Sequence, residues 1–286
     1  MSRETKPETP QLPKPTDRLR LAGDLSVSPI CVGYVHEAET YAAAYDAGIN
    51  FFFLTVDMHW PMYEPARQGL QALLRRVPRE RVVVAAATYV ARPEFASMPF
   101  RELLMAIPEL DHIDVYVIGG VGMSDFLARL DWTRQLQRQK FAGISSVAAS
   151  FHDRATAALA VERQLVDLAF VRYNAVHPGA RVDLFPRLAA AQSPTPVYNF
   201  TNIPHNLVDD DGWARLGLRD HWRPSPADFY RFALTRTPIQ GLLCAPGTPA
   251  HVGELVDALA KGPLDAEEQQ YLLDLGELAS GKASLA

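Results

Sequence analysis

Asp57 and His59 place a carboxylate and an imidazole two residues apart in the segment DMHW. Side chains at this spacing in an extended segment point to the same side, so both can face one site. A carboxylate that orients an imidazole forms an acid–base pair. With His36, from an earlier part of the chain, the set becomes two imidazoles and one carboxylate, the ligand set of many divalent-metal sites. A metal-free acid–base pair and a metal site are both open interpretations.

The elements that must position these side chains are short apolar runs that alternate with amphipathic segments. Continuous apolar runs separated by helical patterns are typical of a parallel sheet buried on both faces. Eight runs favour an α/β fold closed into a (β/α)8 barrel (TIM barrel) over an open doubly wound sheet. The predicted strands are 29–32, 50–55, 81–87, 113–118, 141–145, 166–173, 195–199 and 241–245. A hairpin is predicted at 19–27 and a final helix at 265–280.

The composition fits one globular domain that acts on a small molecule. Of the 286 residues, 48% are hydrophobic and 21% are charged. We predict a flexible, proline-rich tail at 1–17 and a single barrel domain at 18–286. A net charge of −5 without a basic run excludes the electrostatic signature of a nucleic-acid binder. No apolar run reaches the roughly 20 residues of a membrane helix, and no signal-peptide pattern is present, so we expect a cytoplasmic location.

Polar residues that follow the predicted strands are candidates for substrate contact, because active sites of (β/α)8 barrels lie at the carboxyl ends of the strands. Seven of the eight histidines have this placement: His36, His59, His152, His177, His205, His221 and His251. The alternative is that most of them are ordinary loop histidines. The expected substrate contacts are His36, Trp60, Tyr173, Asn174, Tyr198 and Asn199, with Asn202 as a further candidate.

Six segments resemble the aldo-keto reductases, in the same order along the chain. DAGINFFFLTVDMHW (46–60) resembles that family's signature at the second strand. The other five, RVVVAAAT, HIDVYVIG, FAGISS, VRYN and GTPAHVGELVDAL, resemble its third to sixth strands and its eighth helix region. The resemblance spans about residues 19 to 275. It implies a (β/α)8 barrel that reduces carbonyls with NADPH through a tetrad of Asp, Tyr, Lys and His.

The residues at the four tetrad positions differ from the family's pattern. The aligned residues are Phe53 for the aspartate, Met58 for the tyrosine, Thr88 and Tyr89 for the lysine, and Gly119 for the histidine. Counting back from Gly69 allows Tyr63 to match the tyrosine instead. Even then, the aspartate and lysine that would tune the acidity of a phenol are missing.

The lysines supply a test that does not depend on this alignment. The chain has five: Lys6, Lys14, Lys140, Lys261 and Lys282. None of them follows a predicted strand, where catalytic groups of these barrels lie. The sequence therefore leaves no lysine for the tetrad or for a Schiff-base aldolase.

The resemblance assigns cofactor contacts to Ser145, Ser146 and Tyr198, of which Tyr198 matches the aromatic residue that stacks on nicotinamide. The segment APGTPAHVGEL begins a helix whose N-terminus suits an anion. No Lys or Arg stands there to hold the 2′-phosphate of NADPH. The sequence argues against NADP(H), and a divalent metal stays an alternative.

We expect an enzyme whose chemistry differs from that of the family it resembles. Asp57, His59 and Tyr63 are the expected catalytic residues, with acid–base or metal-assisted chemistry on a small or peptide-like substrate. One alternative is an NAD(P)H-dependent oxidoreductase with His59 or Tyr63 as proton donor. Another is a noncatalytic barrel that binds a partner or ligand through the long connection 199–226.

Overall fold

Eight parallel strands form a closed barrel in the computed structural model, which describes residues 11–281 except 201–202, 205–206, 208, 219–220 and 237. Each barrel strand pairs with the next one along the chain, and the last pairs with the first. A hairpin of β1 Leu19–Arg20 and β2 Ser26–Val27 precedes the barrel strands β3 Ile30–Val32, β4 Phe51–Thr55, β5 Val83–Thr88, β6 Val115–Val121, β7 Ser146–Phe151, β8 Leu168–Arg172, β9 Val197–Phe200 and β10 Gly241–Cys244. The predicted (β/α)8 barrel is confirmed.

Helices follow the barrel strands and cover the outside of the sheet. They are α1 Glu39–Asp46, α2 Glu64–Arg76, α3 Met98–Ala106, α4 Phe126–Arg138, α5 Arg154–Glu162, α6 Ala180–Asp183, α7 Phe185–Ala191, α8 Asp210–Leu216, α9 Pro226–Leu234, α10 Pro249–Ala260 and α11 Ala266–Ala279. The last of them confirms the predicted final helix, and a capping box between Asp265 and Glu268 fixes its start. Within the described ranges, no helix is long and apolar enough to cross a membrane.

The strands are apolar on both faces because each face meets its own core. In β4, Phe51 and Phe53 point into the barrel interior, where they join a cluster with Phe170. The alternate residues Phe52 and Leu54 point outward and pack between the strands and the helices. This two-sided burial explains why the sequence shows continuous apolar runs rather than alternation.

The predicted hairpin is present and packs against the amino end of the barrel. Leu19 pairs with Val27 in antiparallel register, and Val27 belongs to the interior cluster. Gly23 at the turn has φ of +72°, and a Cβ there would lie 2.7 Å from the Cβ of Ser145. Only glycine satisfies both the left-handed conformation and the close approach.

Side-chain oxygens bind neighbouring strands together at the amino end of the barrel. Each accepts a backbone N–H from the preceding strand or the residues just before it, at 2.7 or 2.8 Å. The pairs are Asn50 with Ser28, Asp114 with Val84, Asp167 with Val147, and Gln240 with Val197. The same interaction therefore recurs at every second strand around the barrel, and we call the four oxygen-bearing residues the amino-end clamps.

The fifth barrel strand is Ser146–Phe151, and the predicted strand at 141–145 is wrong. Residues Phe141–Gly143 form a short 3-10 helix instead. Lys140, Ala142 and Gly143 have φ of +54°, +49° and +72°, a left-handed conformation that no strand contains. The turn is held by the N–H of Ile113, which donates to the Ala142 carbonyl at 2.8 Å.

Part of the segment predicted as a tail contacts the barrel. Leu12 is 7% exposed and belongs to the core cluster between strands and helices. The segment 11–16 lies beside Leu259 and its neighbours on α10. Residues 11–17 are therefore packed on the domain rather than forming a loose tail, and residues 1–10 lie outside the described part of the chain.

Replacement of the clamp residue Asp114 by alanine is expected to destabilise the fold by about 2–4 kcal/mol. Asp114 is 5% exposed, accepts the Val84 N–H, and pairs with the half-buried Arg79 at 2.8 Å. The variant leaves the Val84 N–H without its acceptor and removes the carboxylate partner of Arg79, which keeps its hydrogen bonds to the Val82 and His112 carbonyls. Urea unfolding measures the effect, with the exposed Asp131→Ala as the control, expected to change stability by less than about 0.5 kcal/mol. Equal effects of the two variants would contradict a clamping role.

Candidate functional site

A cavity of about 550 Å³ opens at the carboxyl ends of the strands, where active sites of (β/α)8 barrels lie. Its wall is largely aromatic, formed by Tyr34, Phe53, Tyr63, Tyr89, Phe170 and Phe200. Four polar side chains interrupt that wall: Thr55, His59, Ser150 and His152. An apolar cavity with a few converging polar groups is the usual form of a small-molecule site. None of the described residues that line it is acidic.

Asp57 has its carboxylate directed at the loop after β5. One oxygen accepts the Thr88 hydroxyl at 2.5 Å and the Tyr89 N–H at 2.8 Å, and the other accepts the Met58 N–H at 2.5 Å. The predicted Asp57–His59 pair is not among the hydrogen bonds of the described residues. Asp57 therefore joins the loops after β4 and β5 and positions the residues that line the cavity.

His59 and His36, predicted to share a site, lie in different surroundings. The His59 ring lines the cavity edge-on to Tyr89, with 5.5 Å between ring centroids. His36 is exposed, and its Nδ1 lies 3.3 Å from the Tyr34 hydroxyl. Across the part of the chain that the structure describes, no three His, Cys, Asp or Glu residues are grouped as a metal would require. His36, Asp57 and His59 are thus not assembled into the predicted metal site.

Tyr63, a predicted catalytic residue, lines the cavity. It ends the 3-10 helix Trp60–Tyr63, and its ring centroid lies 6.0 Å from that of Tyr34. Burial raises the pKa of the Tyr63 phenol well above its ordinary value, and the nearby Tyr89 raises the pKa further. Trp60 packs under the Arg67 guanidinium, 3.7 Å from its ring centroid, and does not line the cavity.

Ser150 and His152 are cavity residues at the end of β7. The Ser150 hydroxyl oxygen accepts the Gly120 N–H at 2.9 Å, so its own hydrogen can be donated to a bound molecule. The His152 ring lies at the rim, 5.2 Å from that of Phe200. Desolvation by its surroundings lowers the pKa of His152, and the charge of Arg172 adds to that effect.

Sequence reasoning placed His152 among the loop histidines but did not single it out. The misplaced fifth strand hid the cavity positions at its true carboxyl end. The usable signal was the run SVAASF, which is apolar or small and ends directly at His152.

Thr55 presents an unsatisfied polar group to the cavity. The residue is 1% exposed, and its hydroxyl has no hydrogen-bond partner among the described residues. A buried hydroxyl without a partner costs free energy, which a bound ligand can recover. Thr55 is thus a ligand-binding candidate that the sequence did not identify.

Ser145 and Ser146 lie at the amino end of the barrel, opposite the cavity. The Ser146 hydroxyl donates to the Ala22 carbonyl at 3.2 Å, and Ser145 packs against Gly23 of the hairpin turn. Their assignment as cofactor contacts rested on the incorrect boundaries of the fifth strand.

The residues predicted from the ends of the sixth and seventh barrel strands do not line the cavity. Tyr198 is fully buried, and its hydroxyl donates to the Ser28 carbonyl at 2.7 Å. Asn199 donates to the Tyr173 carbonyl at 2.8 Å, the Tyr173 ring stacks on Phe232, and Asn174 accepts the N–H of His177 at 2.7 Å. Asn199 and Asn174 therefore order backbone after the sixth barrel strand, whereas Tyr198 binds the segment before the first barrel strand, at the amino end. Asn202 and His205 lie outside the described residues, as does part of the 199–226 connection that contains α8.

Comparisons of the whole structure find similar barrels, whereas no protein-family model and no curated protein sequence matches the chain. The aldo-keto reductase AKR11C1 from Bacillus halodurans in its holo form is 14% identical, with a TM-score of 0.68 over 91% of this chain and 96% of that one. An aldo-keto reductase from Brucella melitensis is 13% identical, with a TM-score of 0.64 over 91% and 99%. The glycerol dehydrogenase AKR11B4 from Gluconobacter oxydans is 14% identical, with a TM-score of 0.64 over 95% and 98%. The chain therefore has the (β/α)8 barrel fold of the aldo-keto reductases.

Proposed function

We propose that this barrel is an enzyme that binds a small, largely apolar organic molecule in its mouth and acts on it by acid–base chemistry without nicotinamide. The observation that carries the proposal is the cavity of about 550 Å³ in which His59, His152 and Thr55 interrupt an aromatic wall. Aromatic side chains favour contact with a flat or hydrocarbon part of the substrate. Imidazole groups are suited to proton transfer near neutral pH.

The packing at the tetrad positions supports chemistry different from carbonyl reduction. Phe53 and Tyr89 fill the wall where the resemblance places an aspartate and a lysine. A Cβ at Gly119 would lie 2.8 Å from the Tyr89 ring, so that ring occupies the space that a histidine there would need. Without a neighbouring cation, the raised pKa of Tyr63 makes it a hydrogen-bond donor rather than a proton donor at neutral pH.

The residues present do not fit NADP(H), the cofactor that the resemblance implies. Gly247, in the loop after β10, lies so close to His36 that a Cβ would be 2.4 Å from the imidazole Cδ2. The imidazole thus covers the glycine next to the start of α10, where an anion would approach. No Lys or Arg occurs between residues 241 and 260. Tyr198 and Ser146 are turned to other partners.

His152 is the general base in this proposal. Its lowered pKa keeps the imidazole neutral at pH 7, and its place at the rim allows proton exchange with water. His59 lies on the other side of the mouth, where it serves as the second proton-transfer group. Ser150 and Thr55 orient the substrate by hydrogen bonds, and Asp57 holds the loops that carry His59 and Tyr89 in place.

The direct test is turnover of small molecules from a cell extract by the purified protein, followed by mass spectrometry in D2O with and without added NADPH or NADH. We expect at least one compound to be consumed without either nucleotide. His152→Gln is expected to lower its rate by roughly 10²- to 10⁴-fold, the contribution of a general base. The control His251→Gln, an exposed position on α10, should keep the wild-type rate. Turnover that requires NADPH or NADH would contradict the proposal. A compound that stays bound to the protein without being converted would favour a noncatalytic binder.

The proposal also requires His152 to titrate below its ordinary pKa near 6.5. Because the lowered pKa favours the neutral ring, the rate should fall as pH drops through that lowered value and stay level above it. Imidazole NMR of the free protein measures the pKa directly. Arg172→Met should raise the pKa of His152, whereas Arg92→Met, which removes a cation that is 79% exposed, should leave it unchanged. An ordinary or raised pKa for His152 would argue against its role as the base.

A further inference from the structure

Arg172 ends β8 with its side chain directed into the mouth of the barrel. Leu168 and Phe170, at two-residue spacing on the same strand, belong to the interior cluster, so Arg172 continues the inward face. Its partner in the parallel register is Phe200, which lines the cavity. The guanidinium therefore stands at the carboxyl end of the barrel, on the same side as His152.

The Arg172 guanidinium has no acidic partner within the described part of the chain. Its Nη2 lies 2.7 Å from Nε2 and 3.1 Å from Nδ1 of His177. Its Nε is buried and has no hydrogen-bond partner in the described ranges. One strong donor of a planar fork is thus left unused at the carboxyl end of the barrel.

Two of the most deeply buried arginines of this barrel are paired with carboxylates. Arg129, with a side chain 6% exposed, pairs with Asp125 at 3.0 Å, and Arg231, 8% exposed, pairs with Asp228 at 3.1 Å. A shielded cation needs such compensation because desolvation is expensive. Arg172 and Arg236 both have a buried Nε without a hydrogen-bond partner among the described residues, and Arg172 is the one that ends a barrel strand.

The acidic groups nearest in sequence to this part of the mouth are already engaged. Asp153, directly after His152, caps α5 by accepting the N–H groups of Ala155 and Thr156. Asp183, on α6, pairs with Arg154 at 2.6 Å. Neither carboxylate is paired with Arg172, so neither compensates its charge.

We infer that Arg172 and Ser150 together bind the oxyanion group of the substrate, and that the substrate is an organic acid with an apolar or aromatic body. The inference rests on the proposed function and specifies its substrate class. The unused Nε–H donates to one anionic oxygen, in the charge-assisted geometry that arginine offers to carboxylates and phosphates. The hydroxyl of Ser150 supplies a second donor from the next strand. The aromatic wall of Phe170 and Phe200 then holds the body of the molecule.

Isothermal titration at pH 7.5 with benzoate, phenyl phosphate and benzamide tests the inference. The three probes share one ring, and only the first two carry an anion. We expect the preferred anion to bind roughly 10- to 100-fold more tightly than benzamide, the range of one charge-assisted hydrogen bond. Benzoate and phenyl phosphate together show whether the site prefers a carboxylate or a phosphate.

Two variants separate Arg172 from general electrostatics. Arg172→Met keeps the length of the side chain and should remove the preference for the anion, leaving benzamide binding within about 2-fold. Arg92→Met removes a cation from the loop after β5 and should preserve the preference. Should Arg172→Met fold poorly, the comparison of benzoate with benzamide on the wild-type protein still decides the matter.

The inference is overturned if benzoate, phenyl phosphate and benzamide bind equally, if the anion preference survives in Arg172→Met, or if none of the three binds. These failures are distinct from a failure of the proposed function. That proposal is judged by nucleotide-independent turnover and by the His152→Gln variant, neither of which uses these probes. A barrel that converts a neutral compound, with no preference between the probes, would keep the function and lose the anion site.

Discussion

The amino-end clamps fix the register on which the rest of the structure depends. Because the side-chain period of a strand is two, a slip of one residue would exchange the inward and outward faces of that strand. Asp114 and Asp167 each tie the preceding strand at one backbone N–H, at 2.7 Å. The inward positions at the far ends of β7 and β8, Ser150 and Arg172, are therefore determined at the opposite end of the barrel.

Arg172 differs from the arginines beside the amino-end clamps in its partners. At the amino end, Arg79 and Arg134 are each paired at 2.8 Å with a clamp carboxylate, so the charges stabilise the closed sheet. At the carboxyl end, Arg172 lacks a carboxylate partner among the described residues. The buried Thr55 hydroxyl lacks a hydrogen-bond partner among the same residues. Both of these unsatisfied groups lie at the end where active sites of these barrels are found.

The architecture was predictable because it is encoded redundantly, whereas the site depends on local geometry. Seven of the eight strands, the hairpin and the final helix followed from runs and breaks in hydrophobicity. The fifth strand failed because FAGIS has an apolar composition but turns through a left-handed Ala142. The two-residue spacing of Asp57 and His59 suggested that their side chains interact. The spacing could not show that the carboxylate instead accepts hydrogen bonds from two backbone N–H groups and the Thr88 hydroxyl.

Part of the site escaped prediction for a further reason. Polar residues at strand ends can either satisfy backbone groups or contact a ligand, and the sequence does not distinguish the two roles. Asn199 and Tyr198 satisfy buried backbone carbonyls, which a closed barrel must do wherever strands end and loops begin. Arg172 looks the same in sequence, inside VRYN, yet it points inward while its neighbour Tyr173 packs outward on Phe232. The difference between the structural residue Tyr173 and the proposed ligand-binding residue Arg172 is one step in strand phase. The register that the clamps impose determines which of the two residues points inward.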